Sequence, residues 1–325
     1  MRRDLPIGQA LGQFQVALGQ AHRLPRLGGF ARIRAVKSGN KKARYVLGID
    51  FGTLSGRALL VNVGTGEEVA WADHNYKSAV IEKSLPGSKK RLKPLTALQD
   101  PADYIEVLRK AVPQVMRLSK AKPEQVLGIG IDFTSCTMLP TLADGTPLCS
   151  LKKWRNNPHA WVKLWKHHAA QPEANRINEV GLRRNEDFIT AYGGKYSSEW
   201  FFAKMLETVR EAPGVYEAAE RFVEAGDWLV WQLIGREKRS LSAAGFKAMR
   251  VSRTKRGGWT YPDKSFFKSL DAGMANVVAD KLDSEIIELG SNAGGLTAKM
   301  GKAMGLAAGT PVAAANIDAH AAVPA

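Results

Sequence analysis

The apolar positions of this 325-residue chain change period several times, and each change marks an element. "YVLGID", starting at Tyr45, is a β-rich run with no polar position before Asp50, which predicts a strand buried on both faces. "RALLVNV" and "EEVAWADHNY" follow across a Thr-Gly turn, so residues 45–76 predict a three-strand meander. The segment 83–100 is basic and proline-bearing and predicts a loop. "DPADYIEVLRKAVPQVMRLS" opens on Asp-Pro and sets Ile105, Leu108 and Val112 at helical spacing, which predicts a helix. "VLGIGIDFTS" is a second buried strand, and "TMLPTLADGTPL" a strand and turn. From 157 to 235 a helical period prevails, with Trp200, Phe201, Trp228 and Trp231 as core between the helices. Beyond a glycine-rich loop, "LTAKMGKAMGL" predicts a helix and "AAGTPVAAAN" a turn and strand, with Asp318 opening the next element. A meander, a helix, more strands and a helical insertion predict an α/β domain with a mixed sheet.

Composition narrows this little: 45% hydrophobic residues and 31 glycines describe a globular chain. Two cysteines, Cys136 and Cys149, are too few for a disulfide framework or a zinc site and suit a reducing, cytoplasmic setting. No apolar run approaches the ~20 residues of a membrane span. The net charge of +16 invites a nucleic-acid partner, but its distribution argues against one. Residues 1–44 carry ten Lys or Arg and one acid, Asp4, whereas the other 281 residues hold 37 basic and 30 acidic side chains. The basic segment resembles a transit peptide in charge but has Ser38 as its only serine. It is expected to be a disordered extension or the product of a start codon placed too far upstream. The densest later run, "KSLPGSKKRLK" at 83–93, is expected to be a solvated loop.

Candidate chemistry begins in "GIDFGTLSGR". A carboxylate at a strand end, Asp50, precedes a hairpin bearing Gly52, Thr53 and Ser55, which is a phosphate-holding design. Backbone N–H groups and hydroxyls would face phosphoryl oxygens, Gly52 would let the backbone approach them, and Asp50 would hold a hydrated Mg²⁺. Arg57 is expected to orient the hairpin. Taken alone, a Gly-Thr pair is only a turn. Thr134, Ser135 and Cys136 follow a buried strand and offer polyol-binding side chains, or simply cap their own turn. Asp132 either points into the site or satisfies loop backbone. Nothing beside Cys136 would activate it, so it is expected to be a pocket wall. His167 and His168 are adjacent on an expected helix and point about 100° apart, which argues against a shared metal.

The hairpin motif resembles the first phosphate motif of the actin-like ATPase and sugar-kinase superfamily, more particularly the FGGY carbohydrate kinases. "VLGIGIDFTSCTMLP", "NPHAWVKLWKHHAA", "EAGDWLVWQLIG" with "SAAGFKAMR", and "GLTAKMGKAMGLAAGTPVAAANIDAHAA" resemble further segments of that family in order, closest to its ribulokinase branch. The resemblance covers about residues 45–325 and implies a ribonuclease-H-like (actin-like) fold with a helical insertion. It implies ATP-dependent, Mg²⁺-assisted phosphorylation of a ketopentose, L-ribulose at O5 first, with xylulose or ribitol as alternatives. Asp318 would be the general base, with a helix N-cap as its structural alternative. Lys247, otherwise a surface lysine, would bind the sugar, and Asp132, Thr134, Ser135 and Cys136 would line its pocket. Asp50, Gly52, Thr53, Ser55 and Arg57 would serve phosphate and Mg²⁺. The family has two actin-like domains, so the chain is expected to be the sugar-binding half, stopping at the junction with a nucleotide-binding half. Such a half is expected to be inactive by itself or a non-catalytic sugar binder, and the full-length parent is one that can dimerise. A nucleic-acid enzyme of the same fold is the rival, but it needs clustered acids for two metals. Two departures stand out: His167 where relatives have an acid, and Ala315 where they have glycine, expected to crowd the phosphate.

Overall fold

The computed structural model describes residues 43–252 and 258–322. The basic segment 1–42 therefore lies outside the described residues. The meander forms as expected from β1 (Tyr45–Phe51), β2 (Ser55–Asn62) and β3 (Glu68–Asn75). A short strand β4 (Leu98–Gln99) precedes helix α1 (Pro101–Ser119). Asp100 caps α1 by accepting from Ala102 N–H at 2.9 Å, with Pro101 at the first helical position. Then come β5 (Val126–Phe133), β6 (Met138–Thr141), β7 (Val162–Lys163), α2 (Gln171–Arg183), α3 (Phe201–Glu211) and β8 (Arg221–Glu224). Helices α4 (Ala225–Ile234) and α5 (Leu241–Phe246) follow. The described chain closes with β9 (Asn292–Gly295), α6 (Ala298–Met304), β10 (Pro311–Ala313), β11 (Asn316–Ile317) and α7 (Asp318–Ala322).

The main sheet runs β9-β10-β5-β1-β2-β3, with β11 also on β5. Strand β5 is parallel to β1, β10 and β11, and the other pairs are antiparallel, so the sheet is mixed. The tetrapeptide Gly-Ile-Asp-Phe occurs in both β1 and β5, and the two copies pair residue for residue from Gly48↔Gly130 to Phe51↔Phe133. Below the paired aspartates, Phe51 and Phe133 stack at 5.4 Å and Tyr104 of α1 meets Phe133 edge-on at 5.0 Å. Such ring pairs contribute about 0.5–1.5 kcal/mol each beyond area burial, and here they lock the strand ends.

The stretch 157–235 is less helical than its period predicts. Val162–Lys163 is a strand between β4 and β6, and β8 pairs with β6, giving an antiparallel sheet β4-β7-β6-β8. Trp161, Val162 and Leu164 mimic a helical face, but their neighbours are strands and the helix starts only at Gln171. Helices α2 and α3 cover a core of their own, to which Phe201 belongs, while Trp228 and Trp231 pack in the core of the main sheet. The loop at 83–93 closes on itself through Leu92 N–H to Lys83 carbonyl at 2.9 Å and a Ser84↔Arg91 bridge, with Leu85 buried in the second core.

Candidate active site

The carboxyl ends of β1, β5 and β11 meet at one edge of the main sheet. Asp50 is the partner of Asp132, Asp132 is the partner of Asn316, and Asp318 follows two residues later as the first residue of α7. Asp50 and Asp132 are 5% and 3% exposed, respectively. Burial, then the charge and hydrogen bond of Asp50, then the charge of Asp318, raise the Asp132 carboxyl well above the usual carboxylate range. Asp318 is half-buried and is the first residue of α7, and its Oδ1 accepts from Ala319 N–H at 2.6 Å.

The hairpin beside Asp50 is held from three sides. Gly52 N–H donates to Ser55 carbonyl at 3.0 Å, and the Tyr76 hydroxyl donates to Gly52 carbonyl at 3.0 Å. Gln99 Nε2 donates to Thr53 carbonyl at 2.8 Å, and Trp165 Nε1 donates to Thr53 Oγ1 at 3.1 Å. The Thr53 hydroxyl proton therefore remains available to a phosphoryl oxygen. Arg57 sits opposite Asp50 on β2, with Nη1 3.8 Å from Asp50 Oδ2. A Cβ on Gly52 would meet only Ser55 carbonyl at 3.4 Å, an ordinary contact, so the protein itself does not demand glycine there. Gly56 differs: a Cβ there would lie 2.8 and 2.9 Å from the Val107 methyls of α1.

The loop after β5 is mostly turned inward. Thr134 Oγ1 bonds Thr137 Oγ1 at 2.9 Å, the local alternative for that hydroxyl, and Ser135 is half-buried. Cys136 is buried with φ 58°, and burial pushes its thiol up, which leaves it unreactive. The Cys136 carbonyl accepts from the Nζ of Lys204, which also donates to Leu164 carbonyl at 2.7 Å and Lys163 carbonyl at 3.4 Å. Lys204 is fully buried, and burial brings its ammonium down to about 8.

Lys247 is not a free surface lysine. Its Nζ lies 3.9 Å from the Trp200 ring centre, 4.5 Å from Phe246 and 5.5 Å from Tyr192, and burial lowers its pKa. Trp200 thus walls this ammonium as well as packing on the core. His320 of α7 bonds Ser242 Oγ at 3.3 Å and meets Phe246 edge-on at 4.3 Å, joining the Asp318 helix to α5.

The departure at His167 lies off this edge. His167 is 2% exposed, with Nδ1 accepting from Ala97 N–H at 3.2 Å and Nε2 bonded to Glu207 Oε2 at 2.9 Å. Ala315 is buried, and its Cβ faces Gly226 of α4. Sequence reasoning missed Trp165, Gln99, Tyr76, Lys204 and Asn316. Trp165 is 37% exposed, and an exposed tryptophan amid buried neighbours is the one signal that could have found it.

Among the described residues, no three His, Cys, Asp or Glu side chains are grouped to hold a metal ion. Magnesium rarely needs such a cage, taking one or two carboxylates, waters and substrate phosphates. Asp132 Oδ1 and Asn316 Oδ1 are buried without a partner beside Asp50, and this oxygen-only set fits a hydrated hard cation. Among the described residues no helix is long and apolar enough to cross a membrane.

Residues 45–324 match the model of the N-terminal domain of the FGGY family of carbohydrate kinases. A ribulokinase of Bacillus licheniformis is 50% identical over 272 residues, 84% of this chain and 48% of the relative. A ribulokinase of Shouchella clausii is 50% identical over 282 residues, 87% of this chain and 49% of the relative. The chain thus spans about half the length of the curated relatives it matches. A gluconate kinase structure from Lactobacillus acidophilus superposes with a TM-score of 0.65 at 14% identity, covering 86% of this chain and 49% of its own, which shows the actin-like fold.

Proposed function

Because the chain belongs to the FGGY family of carbohydrate kinases, we propose that it supplies the sugar-holding half of an ATP-dependent ketopentose kinase, with L-ribulose phosphorylated at O5. The meeting of Asp50, Asp132 and Asp318 at one sheet edge supports this reading most directly. The relatives named ribulokinase, about half of whose length this chain spans, favour L-ribulose over xylulose or ribitol.

Asp318 would accept the proton of the attacking 5-hydroxyl. A carboxylate is a weak ground-state base for a sugar hydroxyl, which suits a loose phosphoryl transition state that releases the proton late. Lys247 would donate to the vicinal hydroxyls from its aromatic wall, and Ser135 would add a hydroxyl. The backbone of residues 52–55 and the Thr53 hydroxyl would cradle the γ-phosphate. A bound Mg²⁺ would neutralise phosphate charge beside Asp50. The nucleotide base would be held by a second domain, in the cytoplasm.

Calorimetry of this chain with L-ribulose, D-xylulose and ribitol tests the sugar site. Saturable L-ribulose binding without ATP turnover, lost in Lys247→Met, is expected. Binding of none of the three would sink the reading, and turnover by the chain alone would refute the half-site. In a protein completed by a nucleotide-binding domain, Asp318→Asn should lower kcat by roughly 10²–10⁴. Near-normal turnover there would remove Asp318 as base.

A further inference from the structure

The basic run at 83–93 closes over a cavity of about 300 Å³ that contains none of the residues placed at the candidate active site. Its mouth carries Lys90 and Arg91, and its floor is built from Lys163, His167 and Glu207, all buried. The loop that carries the mouth is anchored by Leu85 and closed by its own backbone bonds, so these cations sit on a fixed frame.

The charges around the cavity do not cancel. Glu207 is neutralised by Lys163 at 2.7 Å and bonded by His167 at 2.9 Å. Glu211 pairs with Lys93 and faces His159 Nε2 at 3.6 Å. Burial keeps both imidazoles neutral at physiological pH, His159 at about 3 and His167 at about 4. Each acid in the lining therefore has its own lysine. Among the described residues, Lys90 and Arg91 pair with no carboxylate, although both line the cavity. The Ser88 hydroxyl and the Asn156 amide add neutral donors.

We propose that this cavity is a binding site for a small polyanion, a phosphate ester or a polycarboxylate, seated on Lys90 and Arg91. An arginine fork beside a mobile ammonium suits two anionic groups on one small molecule. The volume admits a molecule of phosphorylated-monosaccharide size, at the lower end of ligand pockets.

Isothermal titration calorimetry of the full chain, with inorganic pyrophosphate and separately with citrate, tests the site. Saturable binding is expected, weakened roughly tenfold or more in Lys90→Gln/Arg91→Gln, the loss due to two charge-assisted contacts. Both side chains are exposed, so the double variant should melt with the parent. Tighter pyrophosphate than citrate, lost in the double variant, supports the site and assigns phosphate esters. The reverse order, also lost, supports it and assigns polycarboxylates. Binding undiminished in the double variant would place the anion on the hairpin or the basic N-terminal residues and overturn the proposal. Absence of saturable binding by both probes would overturn it too.

Discussion

Asp50 and Asp132 lie side by side on parallel strands as two buried carboxyls. Two carboxylates so placed cannot both ionise without cost, because neighbouring like charges repel strongly in a low dielectric. Burial and the charge of Asp50 raise the Asp132 carboxyl well above the usual carboxylate range, which favours its protonated form.

Asp132→Asn should therefore leave the fold almost as stable as the parent, since an amide imitates a protonated carboxyl in shape and polarity. Urea unfolding checks it, and a loss beyond about 2 kcal/mol would mean that the native carboxyl is ionised. Asp50→Asn removes the neighbouring carboxyl instead. In a completed kinase it should lower kcat by about 10²-fold or more while leaving sugar affinity near the parental value.

Lys204→Met tests a second relationship. The ammonium bonds three carbonyls, and one belongs to Cys136, held at φ 58° just past β5. A left-handed conformation costs a non-glycine residue roughly 1–2 kcal/mol, so this bond secures the turn against relaxing. Methionine fits the volume but leaves the carbonyls buried and unpaired. Destabilisation of about 3–5 kcal/mol is expected in urea unfolding. A loss under 1 kcal/mol would show that the turn holds itself.

Much of the sheet was legible because long β-rich runs without a polar face have few alternatives to a buried strand. Asp50 and Asp132 were legible as strand-end acids for the same reason, the Gly-Ile-Asp-Phe pairing setting them in register. The short strands Val162–Lys163 and Arg221–Glu224 were not, since their identity comes from the partner strand rather than from their own pattern. Lys204 looked like any lysine at a helical position, and only the carbonyls of distant segments give it a buried role. The wall around Lys247 comes from Tyr192 and Trp200, about 50 residues earlier, so spacing could not reveal it. Trp200 was consequently expected to serve the core alone.

His167 makes stability pH-dependent in a defined direction. Its imidazole falls from an ordinary 6.5 to about 4 through burial, against the pull of Glu207. The unfolded chain therefore takes up a proton below pH 6.5 that the native state refuses until about pH 4. The neutral ring contributes stability above pH 6.5 that is lost as pH falls, roughly 3 kcal/mol across the window. Buried Glu224 and Asp227, raised to about 8 and 7, act with the opposite sign, losing stability as pH rises toward those values. They are common to parent and variant, so they cancel in a comparison. The cost of His167→Asn should be largest above pH 6.5 and shrink toward pH 4 in thermal melts. A cost independent of pH would show that the ring titrates alike in both states.

Gly52 and Gly56 stand four residues apart in one hairpin, yet their replacement should fail for different reasons. At Gly56 an added methyl would strike the Val107 side chain at 2.8 Å and approach Asp50 carbonyl at 3.2 Å, so Gly56→Ala must push α1 off the sheet. Overpacking of that kind costs about 1–3 kcal/mol and should appear in urea unfolding without any ligand. At Gly52 the methyl would meet only Ser55 carbonyl at 3.4 Å, so Gly52→Ala should unfold with the parent. If the hairpin cradles phosphate, that methyl lies where a phosphoryl oxygen must approach the backbone. Gly52→Ala in a completed kinase should then raise KM for ATP and lower kcat, while calorimetry finds sugar affinity unchanged. Parental kinetics for Gly52→Ala would remove the hairpin from phosphate binding. A destabilised Gly52→Ala would show instead that the glycine serves the turn itself.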